Sequence, residues 1–130
     1  MENKGSIVTI IVSNLERSRK FYTETLGFFL NEPRSTEKEA VLDTPAGSEY
    51  PVRVSLTTEI PSGWSPGKSG SISLGILLYD SEDVFHKAVE ELENKGVKTS
   101  VTDDGMSMIA YFADPDGNPL FIGAHRQLSG

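Results

Sequence analysis

"VSNLERSRKFYTETLGFF", residues 12–29, holds the end of one strand, a capped helix and a helix stop in one short run. The residues before it, Ile7–Ser13, are β-branched and read as a strand. Ser13 with Glu16 fits a capping box, and Asn14 is an alternative N-cap. Leu15, Phe21, Tyr22 and Leu26 fall mostly on one side of the helix that follows. Gly27 stands where a helix-ending glycine belongs, because glycine enters left-handed backbone without a Cβ clash. Phe28–Asn31, Glu39–Asp43 and Val52–Thr58 then read as three further strands, so residues 7–58 form a β-α-β-β-β module.

The same order returns at residues 71–124. Ser71–Tyr79 reads as a strand, and Asp80 or Ser81 caps a helix with acids in its first turn. Val84, Phe85, Ala88, Val89 and Leu92 keep helical spacing, and Gly96 ends that helix. Val97–Val101, Met106–Ala113 and Leu120–Ala124 are strands, with turns at Asp104-Gly105 and Asp116-Gly117. The two halves repeat an architecture with little identity of residues. Between them "EIPSGWSPGKSG", residues 59–70, is rich in Pro, Gly and Ser and reads as a linker.

One such module is too small to bury much of a core, so two must pair, within one chain or across a dimer. The expected fold class is α+β: two paired β-α-β-β-β modules forming a curled mixed sheet, in a single domain over residues 1–130. One face of each sheet is covered by its helix. The other curls into a cup, where a ligand site is expected.

The bulk numbers narrow the chemistry. The chain has 130 residues, the size of one ordinary domain. It has no cysteine, which excludes disulfides, thiolate metal sites and a cysteine nucleophile. No signal-peptide pattern appears, and no apolar run approaches the ~20 residues of a membrane span. A cytoplasmic protein without a membrane partner is expected. The net charge of −7 argues against nucleic acid, since phosphate neutralisation needs clustered Lys and Arg. It is compatible with a cationic ligand and equally with a role in solubility alone.

Residues 12–29, together with "YFADPDGNPLFI" at 111–122, resemble the vicinal oxygen chelate superfamily, which includes glyoxalase I, extradiol dioxygenases, fosfomycin resistance enzymes and bleomycin resistance proteins. The resemblance runs from Ile7 to Ala124 and implies the same paired fold, usually as a homodimer. Metal enzymes of the family carry ligands at four inward strand positions, which fall here on Ile7, Ser55, Ser73 and Phe121. Serine is a poor ligand for divalent metals, and Ile and Phe are none. No metal and no other cofactor is therefore expected, and Phe121 either closes a former ligand position or simply fills a core. The chain is closest in character to metal-free, bleomycin-resistance-like members. The implied function is binding of a small molecule, for sequestration or antibiotic resistance. The alternative is a metal-dependent glyoxalase-like lyase or dioxygenase with atypical ligands.

Alternate residues of a strand share a face. If Ile7 faces the cup, so do Thr9 and Ile11. Ser55 brings Arg53 and Thr57, Ser73 brings Gly75 and Leu77, and Phe121 brings Pro119 and Gly123. By the resemblance Tyr111 faces inward with Ile109. The candidate ligand-binding residues are thus Ile7, Thr9, Arg53, Ser55, Trp64, Ser73, Ile109, Tyr111 and Phe121. Tyr111 and Phe121 suit stacking on a planar, aromatic ligand. Trp64, in the linker, suits either a rim that closes on the ligand or a cap on the seam between modules. Arg53 suits a carboxylate, a phosphate or a cation–π contact inside a cup, or else a surface ion pair.

Other candidates fall away. His86 shares a helix face with Glu90 and Glu93 that points to solvent, and His125 lies just past the last strand. Asp114-x-Asp116-x-Asn118 begins like a calcium loop, but Pro119 and His125 occupy positions that need Gly and Glu. With no nucleophile elbow and no phosphate-binding glycine loop, no catalytic residue is named.

Overall fold

β1 (Ser6–Ile11) runs parallel to β4 (Val52–Thr57), and β4 runs antiparallel to β3 (Glu39–Asp43), which pairs antiparallel with β2 (Phe29–Leu30). The sheet order is β1-β4-β3-β2. The second half repeats it: β5 (Leu74–Tyr79), β8 (Pro119–His125), β7 (Ser107–Ala113) and β6 (Ser100–Asp103) form a sheet in the order β5-β8-β7-β6, with β5 and β8 parallel. A parallel first and last strand needs a crossover, and a helix supplies it in each half. These coordinates are a computed structural model describing residues 6–45, 52–59, 74–79 and 81–125. The chain divides into two compact units, Met1–Pro66 and Gly67–Gly130. Both are the α+β arrangement expected, each with one mixed sheet.

In the first unit, α1 (Leu15–Lys20) starts at Asn14, whose Oδ1 accepts a 2.9 Å hydrogen bond from the Arg17 amide. Of the two caps the sequence allowed, Asn14 is the one used. The helix does not continue as a regular α-helix to Leu26: Phe21–Thr25 widens into a π-helix. The physical reason is spacing. Ser18, Tyr22 and Leu26 are all buried and recur every four residues, more than the 3.6 of an α-helix. The wider turn keeps all three over the sheet face that carries Val54, Leu56, Ala40 and Leu42, all of them buried. Tyr22 meets Phe28 edge-on at 6.3 Å.

The helix of the second unit, α2 (Glu82–Asn94), starts at Ser81, which accepts from the Val84 amide. It buries Phe85, Val89 and Leu92 over Met108, Ala110, Phe112, Leu120, Ile122 and Ala124. Its end is a Schellman turn: Gly96 has φ +87°, and the Val97 amide donates back to Leu92 O at 2.9 Å. Val97 is therefore committed to closing the helix. For that reason the next strand begins at Ser100 rather than at the expected Val97. Gly27 ends the first helix in the same left-handed conformation, at φ +84°. His125 is the last residue of β8 and not beyond it. No helix among the described residues is long and apolar enough to cross a membrane.

The Asp114 carboxylate is consumed by its own turn. Its Oδ1 accepts from the Asp116 and Asn118 amides at 3.0 and 2.8 Å, and its Oδ2 accepts from Asn118 Nδ2 at 2.8 Å. This is the Asx-type turn chemistry read from the sequence.

Candidate functional site

Each sheet has one face under its helix and one face without a helix. Of the nine candidate residues, the seven that the structure describes lie on the helix-free faces. In the first unit the registers Ile7↔Arg53, Arg53↔Asp43 and Asp43↔Phe29 make one row across all four strands. Thr9, Ser55 and Val41 form the next row. Ile7, Thr9, Arg53 and Ser55 therefore share a face.

At the centre of the first row, Arg53 Nε donates to Asp43 Oδ1 at 3.1 Å. Asn31 Nδ2 donates to the other oxygen, Asp43 Oδ2, at 3.0 Å. The ends of the row are large apolar side chains facing solvent, Ile7 at 61% exposure and Phe29 at 56%. Ser55, one row along, is 1% exposed, and its Oγ has no hydrogen-bond partner among the described residues. Sequence reading missed Asp43, Asn31 and Phe29. Alternation along each strand was visible, but the register that sets Arg53 beside Asp43 was not.

In the second unit, Gly75, Phe121, Tyr111 and Ser100 form one row, and Gly123, Ile109 and Thr102 the next. The Phe121 and Tyr111 rings stand 5.8 Å apart, tilted at 57°. Tyr111 is 40% exposed. The Phe121 ring lies on the Gly75 backbone: a Cβ built on Gly75 would stand 2.6 Å from Phe121 Cε2 and closer still to Cζ.

One expectation on this face is corrected. A β-bulge between Gly75 and Leu77 shifts the ladder, so Leu77 pairs with Ile122 and Leu78 with Gly123. The extra residue reverses which side chains reach which face. Leu78, not Leu77, is therefore on the Phe121 side, where it lies beside Gly123 and is exposed. The remaining two candidates, Trp64 and Ser73, lie outside the described residues.

His86 is exposed on α2, with its ring 5.5 Å from that of Phe85 in an edge arrangement. Among the described residues no three His, Asp or Glu side chains converge as a metal cluster would require. Away from the open faces, burial pushes the Tyr79 phenol above its ordinary pKa, and the Glu91 carboxylate adds to the effect.

The sequence model of the glyoxalase/bleomycin resistance protein/dioxygenase superfamily matches residues 6–122. The chain belongs to this superfamily.

Solved structures of the superfamily share its fold over nearly full length. TnmS3, an antibiotic binding protein from Streptomyces sp. CB03234, is 24% identical, with a TM-score of 0.71 over 96% of this chain and 98% of its own. A glyoxalase/bleomycin resistance protein from the same Streptomyces sp. CB03234 is 27% identical, with a TM-score of 0.64 over 95% and 100%. An integron cassette protein, HFX_CASS4, from the mobile metagenome of the Halifax Harbour sewage outfall is 25% identical, with a TM-score of 0.68 over 95% and 99%. No curated protein matches the chain.

Proposed function

We propose that this superfamily member binds a small organic molecule on its helix-free sheet faces and sequesters it, as a resistance-type binding protein does. The observation that carries the reading is the Tyr111–Phe121 pair. Two tilted rings stand side by side on a helix-free face, with the Phe121 ring held on a glycine floor. Such a pair offers stacking to a planar ligand, worth about 0.5–1.5 kcal/mol beyond the area it buries. The exposed Ile7 and Phe29 add apolar surface in the other unit. Similarity of fold to TnmS3, described as an antibiotic binding protein, supports the same reading.

The positions where metal enzymes of the superfamily carry ligands support binding over metal chemistry. Here they are Ile7, Ser55, Ser73 and Phe121. Two have no donor atom and two have only a neutral hydroxyl, so these residues do not fit a divalent metal. No step is assigned to one. We take the protein to be a single cytoplasmic domain of two modules, 7–58 and 71–124, joined by residues 59–70, and to act as a homodimer.

Thermal unfolding and Trp64 fluorescence, followed across a panel of planar aromatic and cationic compounds, test the reading. At least one class of compound should raise Tm and change the emission. A panel that moves neither removes the proposal. Light scattering on the eluting protein reads the dimer directly.

A further inference from the structure

The helix-free face of the first unit holds an arginine with one edge engaged and the other open. Arg53 meets Asp43 through Nε, side-on. No partner meets its terminal nitrogens among the described residues. A side-on contact leaves the fork of the guanidinium facing away from Asp43, and that fork matches a carboxylate through two parallel N–H···O bonds.

Asp43 is itself braced, because Asn31 holds its second oxygen. Both carboxylate oxygens thus have a donor, and the pair orients the guanidinium. An oriented group with supported neighbours is what a binding contact needs. The charge sits in apolar surroundings, since Ile7 and Phe29 end the same cross-strand row and are both more than half exposed. Ser55 on the same strand face keeps a buried hydroxyl without a partner among the described residues.

We propose that this face binds a carboxylate carried on an apolar or aromatic body, the carboxylate taken end-on by Arg53 and the body lying over Ile7 or Phe29. The inference rests on the small-molecule reading above and names the chemical class of its ligand. A singly charged carboxylate fits better than a phosphate. Arg53 is the one cation among the residues that the strand registers put on this face, and the other ionisable groups there are the acids Glu39 and Asp43. One guanidinium compensates one negative charge, so the second charge of a dianion would be left unpaired on a face that also carries Glu39 and Asp43. The acidic chain had been compatible with a cationic ligand; the open fork of Arg53 points the other way.

The test is calorimetric titration of the full chain with four probes of one ring system: naphthoate, naphthamide, naphthyl phosphate and naphthylmethylammonium. Naphthoate should bind at least about tenfold tighter than naphthamide, the advantage of a charge-assisted bidentate contact over a neutral one. Arg53→Gln should remove that advantage, so that naphthoate and naphthamide bind the variant equally. Arg53→Lys should restore only part of it, because an ammonium lacks the fork. Equal binding of naphthoate and naphthamide overturns the inference while the small-molecule reading stands, as does tighter binding of the ammonium or the phosphate. A naphthoate preference that survives Arg53→Gln overturns it too. If no probe binds, the inference falls, and the broader panel described above decides the small-molecule reading separately. Should a variant fail to fold, the naphthoate–naphthamide comparison on the native chain still decides.

Discussion

Phe121 and Gly75 are partners across the parallel β5–β8 ladder, and the ring of one occupies the space where a side chain of the other would be. The glycine is thus explained by its neighbour and not by backbone conformation. It lets the far end of the Phe121 ring reach over the β5 backbone, with Tyr111 on the other side. Gly75→Ala should therefore displace the Phe121 ring. The clash is with the far end of a partly buried side chain, so the cost falls at the low end of overpacking, about 1 kcal/mol. Chemical denaturation measures that cost, and aromatic proton shifts of Phe121 and Tyr111 report the movement. In the double variant with Phe121→Ala the two costs should be less than additive, because the clash is gone.

Ser55 supplies a second prediction. A buried hydroxyl without a partner costs stability, and replacing it by a methyl removes that cost with almost no change in volume. Ser55→Ala should leave stability unchanged or raise it by about 1 kcal/mol, read as a higher denaturant midpoint at constant slope. A loss of that size instead would show that the hydroxyl is hydrogen-bonded in solution.

The order of elements was legible because its signals are local. Asn14 and Ser81 sit at helix starts, and Gly27 and Gly96 have the positive φ that their positions implied. Alternation along each strand also placed Ile7 with Thr9 and Arg53 with Ser55. What escaped were features that depend on two segments at once. Nothing near Arg53 in the sequence names Asp43 or Asn31, because strand register is set by the whole ladder. The bulge after Gly75 turned Leu78 and Leu77 about, and a single inserted residue in an apolar run has no sequence marker. The π-turn was written in the four-residue spacing of Ser18, Tyr22 and Leu26, but that spacing is also tolerated in an α-helix.

Tyr79 gives the protein a sensitivity on the alkaline side. Burial, helped by Glu91, raises its phenol pKa, so the folded state favours the neutral form. That contribution is fully present below the unfolded tyrosine value of about 10 and is lost as pH rises through the higher folded value. Stability should fall over this range by more in the native chain than in Tyr79→Phe. A tyrosinate absorbance titration should lose one alkaline-shifted step in the same variant.

Metal retention is the measurement that separates binding from superfamily-type metal chemistry. The prediction comes from donor chemistry at four positions. Ile7 and Phe121 have no lone pair to offer, and Ser55 and Ser73 have hydroxyls that compete poorly with water for a divalent ion. The chain has no cysteine and two histidines, and among the described residues no three His, Asp or Glu side chains converge to replace them. Tag-free protein soaked with nickel, cobalt, zinc, iron or manganese and then desalted should retain well under one equivalent by elemental analysis. Phe121→Glu, which puts a carboxylate at the last of these positions, should raise retention only slightly, since one new donor does not complete a site. Near one equivalent in the native chain, lost when a residue of an open face is changed, would show that other groups form a metal site there, and assays for glyoxalase-type chemistry would then take precedence over ligand screening.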